Sequence, residues 1–488
     1  MSIEPPTTVD AVPGEDGEDA VVGGLWAPQR RPLVVGLVLT ITLVAFEALA
    51  IATVMPTVKD DLGGLTLYGW VFSGFFLGSL LGIVVAGQMA DRHGLLLPYA
   101  AGLGLFAVGL VIGGFANSMF VLVVGRCLQG FGAGAIPATA YVAVARGIPA
   151  PLRPRMFAVT STAWVVPAAI GPAAALGLEH AMTWRAVFLV LVPLVVVAGV
   201  LTAPALRHLG PPEAGERLTV PNGRRAAAAR RHDSDRARLR LLIVLVVAVG
   251  MVFAAGSGPP LPVAVLLALV GAPVSAYCVI HLLPAGTVRL APGIPATVAL
   301  RGLLTFAFFS ADAFVTLTVT DGRGKAEWIG GAALALCTFC WTAASWVQER
   351  LIGRLGPRRL DQIGFVVLIA SLIGMVAVAQ GAPIALTVVA WGAGGFAIGL
   401  AYAPQAVTVL ALAPPGQEGA TSAAIQLSDG LGIALGTGLA GGVVALADQA
   451  GWSVARGVTG VFVLALVVAV VGLLASARLP DRVPAQVT

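Results

Sequence analysis

Charge is scarce in this chain. Only 11% of its 488 residues are Asp, Glu, Lys or Arg, against 58% hydrophobic residues, and the mean hydropathy is +0.93. That leaves too little polar surface to clothe a soluble domain of this size, so the composition demands a polytopic membrane protein. Cysteine is equally sparse, and four residues do not make a disulfide framework. Cys337-Thr338-Phe339-Cys340 has metal-ligand spacing, but a lone pair inside an apolar run lacks the second pair or the histidines of a zinc site. The spacing reads as packing, and no metal is expected. The five histidines, His93, His180, His208, His232 and His281, are scattered among loops and ends. With no HExxH and no P-loop beside them, the sequence argues against an enzyme. Lys and Arg are absent from the first 29 residues, which hold Glu4, Asp10, Glu15, Asp16, Glu18 and Asp19 in a Pro/Gly setting. Residues 1–32 therefore read as a disordered acidic tail rather than a signal peptide.

Long apolar runs are what the chain has in abundance. Stretches able to cross a hydrocarbon core of about 30 Å lie near 33–56, 68–90, 97–116, 119–145, 156–178 and 185–206, giving a six-helix half over 33–206. A basic linker over 207–240 follows. Two shorter runs, 241–257 and 263–283, form an inserted hairpin within 241–298, and 299–320, 328–348, 361–380, 383–412, 420–447 and 457–477 make a second six-helix half over 299–477. A tail, 478–488, closes the chain. The expected fold class is all-α integral membrane, with about fourteen spans.

Basic residues should gather in cytoplasmic loops. With both termini cytoplasmic, only Lys59, Arg185, Arg323, Lys325 and Arg456 fall outside and Arg126 within a span; the rest of the 29, Arg301 included, lie inside. An odd number of crossings between 241 and 283 would put Arg350, Arg354, Arg358 and Arg359 on the wrong side. The arginines of 207–240 are interleaved with Glu213, Glu216, Asp233 and Asp235, which suits a solvated linker near lipid and not a nucleic-acid site. The net charge of +5 resides mostly in these loops.

The two halves repeat each other weakly. Gly130-Phe131-Gly132-Ala133-Gly134 returns in the second half as Gly395-Phe396-Ala397-Ile398-Gly399, and Trp184 returns at nearly the same offset as Trp452. At the position matching Arg126 the second half carries Trp391. The coupling machinery is therefore expected to be asymmetric.

Arg126-Cys127-Leu128-Gln129-Gly130-Phe131-Gly132 puts a guanidinium inside an apolar helix, which is costly unless it faces a bundle interior or a watery cavity. The run Arg-x-x-Gln-Gly-x-Gly closely resembles the fourth-helix signature of the major facilitator superfamily, where that arginine is associated with proton coupling. Gly87-Gln88-Met89-Ala90-Asp91-Arg92-His93-Gly94 is similar to the family's loop signature between the second and third helices. The resemblance implies a cytoplasmic latch of Gly87, Asp91, Arg92 and Gly94, although Leu95-Leu96-Leu97 replaces the usual basic pair. Glu349 and Arg350 look like the second-half relative of that latch. Gly171-Pro172 resembles the antiporter signature of drug exporters, with Pro167 and Ala173-Ala174-Ala175 where the motif wants glycine. Gln129, Gly130, Gly134, Gly171 and Pro172 form the expected helix-packing motif.

Acids within the spans each need a reason. Glu47 lies nine residues before the end of the first span and Arg126 seven residues into the fourth, depths of about 13 and about 10 Å at 1.5 Å per residue. The two can share one layer. A neighbouring guanidinium favours an ionised acid and dehydration favours a neutral one, so cavity opening can load or unload a proton. The alternative is a static buried pair that fixes packing. Asp312, near mid-membrane in the seventh core helix, is a candidate third proton-coupling residue beside Glu47 and Arg126. Asp429 is a candidate contact for cationic substrate, and Phe306, Phe309 and Phe314 candidate cavity walls. With few intramembrane amides beyond Gln129 and Gln426, the lining suits greasy cargo better than sugars or peptides.

Taken with the resemblance to fourteen-span drug:proton antiporters, these features imply a proton-coupled secondary active transporter exporting hydrophobic or amphipathic, cationic small molecules included. Export of lipid or another envelope molecule is the alternative, and import a further one. The expected partners are a lipophilic substrate, protons and the bilayer, with no nucleic acid and no cofactor beyond the proton gradient. A monomer, multi-pass in a bacterial cytoplasmic (inner) membrane, is expected.

Overall fold

A computed structural model describes residues 24–149, 152, 156, 159, 163, 165–208, 222–256, 259–413 and 418–481. The acidic tail is outside these apart from its last residues, as are 209–221 of the linker and 482–488 of the C-terminal tail. Every regular element among the described residues is helical. The main helices are α1 (Arg31–Leu62), α2 (Tyr68–His93), α3 (Leu96–Gly114), α4 (Met119–Gly147), α5 (Val165–Ala181), α6 (Leu191–His208), α7 (Asn222–Gly256), α8 (Leu261–Leu282), α9 (Ile294–Asp312), α10 (Glu327–Ala379), α11 (Leu386–Ala411), α12 (Glu418–Gln449) and α13 (Val454–Ala475). Twelve helices among the described residues are long and apolar enough to cross a membrane. The 17-residue α5 is not one of them.

Local signals explain the ends. Pro32 starts α1 where a missing N–H costs nothing, and Gly63 stops it at φ 65 while donating its N–H to the Lys59 carbonyl. Ser118 caps α4 by accepting from the Val121 N–H at 3.4 Å. The 53 residues of α10 would span about 80 Å if straight. They do not run straight, because Gly356 at φ 75, followed by Pro357, breaks the helix.

Two expected boundaries move. Residues 222–240 of the linker are not loop but the first turns of α7. Arg301, expected at the cytoplasmic edge, lies two turns inside α9 and is only 2% exposed. The cause is that α9 starts at Ile294, after Gly293 at φ 90, five residues before the apolar run suggests.

Glycines set the helix spacing within each half. A Cβ on Gly130 would stand 1.9 Å from the Phe75 carbonyl oxygen, and one on Gly134 2.1 Å from that of Ser79. Only glycine lets α4 lie this close to α2. The repeat does the same: a Cβ on Gly395 would meet the Cys337 carbonyl oxygen at 2.0 Å, and one on Gly399 that of Trp341 at 2.4 Å. This close helix contact accounts for the Cys337 region, whose cysteines are free. Gly171 is different, since its nearest neighbours, Leu49 and Phe46, would be at ordinary contact distances of 3.7 and 3.8 Å.

The inserted pair α7–α8 packs at the seam of the halves. Leu245 and Phe253 of α7 join Leu77 and Leu80 of α2 and Leu427 and Leu431 of α12 in one apolar cluster. The outer face of α8 leaves Leu266, Leu269 and Ile280 exposed, as a helix bathed in lipid must.

Candidate functional site

Glu47 of α1 and Arg126 of α4 form a buried ion pair between Arg126 Nη1 and Glu47 Oε1, with the guanidinium side chain 3% and the acid 0% exposed. Gln129, one turn on, accepts from the same Nη1 at 2.8 Å, and the Val71 carbonyl of α2 accepts from Nε at 3.1 Å. The guanidinium carbon lies 4.3 Å from the centroid of the Phe75 ring. Three helices thus converge on one cation. Glu47 Oε2 and the Gln129 amide nitrogen are buried with no hydrogen-bond partner.

Asp312, at the end of α9, accepts a hydrogen bond of 2.8 Å from the indole Nε1 of Trp391 on α11. Trp391 is fully buried and stacks on Phe308 at 5.1 Å. The sequence offset that carries Gly130 onto Gly395 also carries Glu47 onto Asp312 and Arg126 onto Trp391. The second half therefore repeats the acid and replaces its cation with a neutral donor.

A third cluster escaped the sequence reading. Arg301 Nε donates to Gln405 Oε1 at 3.0 Å, and Gln405 Nε2 donates to Asp361 Oδ1 at 2.7 Å. Arg301 also donates to the Tyr402 carbonyl, lies 3.5 Å from the centroid of that ring, and has Nη1 3.6 Å from Asp429 Oδ1. The Tyr402 hydroxyl donates to Asp429 Oδ2 at 3.1 Å. Asp429 is thus tied into a polar cluster instead of standing alone toward cargo. Asp361 reads in sequence as the edge of a span beside Arg358 and Arg359, and Arg301 as a loop charge. Gln405 was the available signal, an amide in the middle of an apolar run, whereas Gln426 turns out exposed.

Aromatic rings connect these centres. Phe308 meets Trp341 at 5.7 Å, Trp341 meets Tyr402 at 5.7 Å, and Phe309 reaches Phe76 of the first half at 6.2 Å. Phe306 and Phe309 are half-buried. Phe314 is not a cavity wall: it is fully buried and packs on Tyr68 at 5.2 Å, because α9 ends at Asp312 and a short turn directs the next residues into the contact between halves. A cavity of ≈ 400 Å³ lined by Trp70, Leu77, Cys127, Phe131, Val246 and Gly250 lies between α2, α4 and α7. It is apolar and contains none of the buried acids.

The halves are tied together at the end where α1 stops. Lys59 pairs with Asp321 of the second half and with Asp60 at 2.6 Å, and Thr57 donates to Glu327 at 2.8 Å. A Cβ on Gly69 would lie 2.4 Å from the Gly441 Cα, so α2 and α12 touch backbone to backbone there. The opposite end carries Gly87, Asp91, Arg92 and Gly94, the last turns and cap of α2, with Gly94 at φ 78. The side chains of Asp91 and Arg92 lie outside the described residues. Among the described residues no group of three or more His, Cys, Asp or Glu could hold a metal ion.

Comparison with known proteins gives consistent likenesses. The model of the Major Facilitator Superfamily matches residues 37–437. The multidrug efflux pump SdrM of Staphylococcus aureus is 26% identical over 34% of this chain and 38% of its own length. The multidrug transporter protein MdtP of Bacillus subtilis is 27% identical over 37% of this chain and 33% of its own length. The chain thus spans about a third of the length of these curated relatives. In solved structures, a D-xylose-proton symporter superposes with a TM-score of 0.65 at 14% identity, covering 92% of this chain and 98% of the other. That likeness concerns the fold.

Proposed function

Because the chain belongs to the Major Facilitator Superfamily, a family of membrane transporters, we propose that it exports hydrophobic or amphipathic small molecules, cationic ones included, in exchange for protons. The observation that carries this reading is the Glu47–Arg126 pair, buried where α1, α2 and α4 meet. Ionised, Glu47 is held by Arg126; protonated, it loses that attraction while the guanidinium keeps Gln129 and the Val71 carbonyl. Loading a proton thus loosens α1 from α4 and leaves the guanidinium, still charged, on neutral acceptors alone, which favours a conformation that hydrates it. A change of helix contact linked to a change of charge is what exchange requires. Asp312, neutral-partnered by Trp391, serves as the second-half acid.

Export rather than import is favoured by the multidrug names of SdrM and MdtP and by the aromatic, amide-poor surroundings of Phe306 and Phe309. The reading of fourteen spans takes the break at Gly356 as dividing α10 into two crossings and counts α5, between α4 and α6 in chain order, as a further one. The bias of Lys and Arg supports cytoplasmic termini in a bacterial inner membrane. In that orientation the Lys59–Asp321 contact closes the outer side, and Gly87, Asp91, Arg92 and Gly94 form the inner latch. We assign the working unit as a monomer.

The test is proton flux in proteoliposomes driven by a panel of lipophilic cations. Substrate-driven flux in the intact protein, absent in Glu47→Gln, supports the reading. Cargo movement indifferent to the proton gradient contradicts it.

A further inference from the structure

One cluster of the second half sets two carboxylates, Asp361 fully buried and Asp429 15% exposed, against a single cation. Asp429 lies 3.6 Å from the Arg301 guanidinium and Asp361 is linked to it through Gln405, in a cluster drawn from four helices: Arg301 comes from α9, Asp361 from α10, Tyr402 and Gln405 from α11, and Asp429 from α12. Asp361 is fully buried, and its Oδ2 has no hydrogen-bond partner. Two ionised carboxylates beside one arginine would leave a net negative charge in a low-dielectric interior, where uncompensated charge neutralises instead. The missing positive charge must be supplied. A metal ion needs more oxygen ligands than the two carboxylate atoms without a hydrogen bond, Asp361 Oδ2 and Asp429 Oδ1, offer.

We propose that Asp361 and Asp429 share one proton across Arg301, so that the second half contains its own proton-carrying site, separate from Asp312. Gln405 is its positioning residue. Its amide oxygen is fixed by the Arg301 Nε–H and its amide nitrogen by Asp361, so it cannot flip without losing both bonds, and it transmits the position of the guanidinium to the acid. Tyr402 does the same for Asp429 through its hydroxyl. Moving the guanidinium toward either acid ionises that one and leaves the proton on the other. Arg301 and Asp312 are eleven residues apart on α9, about 16 Å along the axis, so the two sites occupy different depths. This deepens the proton-coupled reading, yet the proton count is a property of the resting protein, and its test needs no cargo.

Infrared difference spectroscopy of the purified protein, in a Glu47→Gln/Asp312→Asn background, measures it. The background protein should show the C=O band of one protonated carboxyl, shifted in heavy water and lost in alkaline buffer. Asp361→Asn and Asp429→Asn should each abolish that band, because Arg301 then balances a single ionised acid. Arg301→Gln provides an independent readout: without the cation both acids stay protonated, and the band should double. Absence of the band from the background protein overturns the proposal. So does its persistence in either Asn variant, or an Arg301→Gln spectrum that matches the background.

Discussion

Asp312 stands to Trp391 as Glu47 stands to Arg126. In each pair an acid on the first helix of its half accepts a side-chain hydrogen bond from the fourth, and one and the same sequence offset relates the corresponding members. The difference is the charge of the donor. In the first half protonation of the acid dissolves an ion pair; in the second it only changes a hydrogen bond to a neutral indole. We therefore assign the larger conformational lever to Glu47 and Arg126.

The glycine spacing gives a stability prediction with an internal control. Gly130→Ala should destabilise the fold by about 1–3 kcal/mol, because the added carbon meets the Phe75 backbone. Gly171→Ala should be neutral or stabilising by up to about 1 kcal/mol, since ordinary contacts await it and alanine favours helix. Melting curves of the two purified variants check this. Equal losses would contradict the packing account.

Lys59 and Asp321 hold the two halves together while remaining partly exposed, at 15% and 16%. Such a pair is worth up to about 1 kcal/mol, or about fivefold in population. Asp321→Asn should shift the balance by that amount toward a state open at this end. Spin labels placed across the halves read it as a longer-distance fraction, and an unchanged distance distribution would remove the pair from the gate.

Orientation can be read with impermeant thiol reagents in intact cells of a cysteine-free variant. A cysteine at Ser234 should be protected and one at Lys325 should react. Lys325 is the better site because neighbouring Gly324 has φ +59, which a side chain would strain. Labelling of Ser234 alone would reverse the assigned topology.

Much of this architecture was legible because membrane helices announce themselves by length and apolarity. The pairing of Glu47 with Arg126 was legible too, since two rare charges at matched depth have few alternatives to each other. Arg301 and Asp361 were hidden by their position: a charge within two turns of a helix start looks like a loop charge until the true start is known. The match of Trp391 to Arg126 is legible in the sequence, but the pairing of Asp312 with it is not, because a tryptophan does not look like the partner of a buried acid. The burial of Phe314 depends on chain direction after a helix end, which composition does not encode.

The central claim is that Glu47 exchanges a proton with its contact to Arg126, and one experiment separates this from mere packing. Substrate-driven proton flux should be measured across pH on intact protein, Glu47→Gln, Arg126→Lys and Arg126→Ala, with melting curves on the same samples. The account predicts folded Glu47→Gln with no coupled flux, Arg126→Lys with a displaced pH profile because the guanidinium fork is lost, and Arg126→Ala without coupling. Unchanged pH profiles accompanied by a stability loss of about 3–5 kcal/mol, as expected when one partner of a buried pair is removed, would make Arg126 a structural residue and contradict the claim.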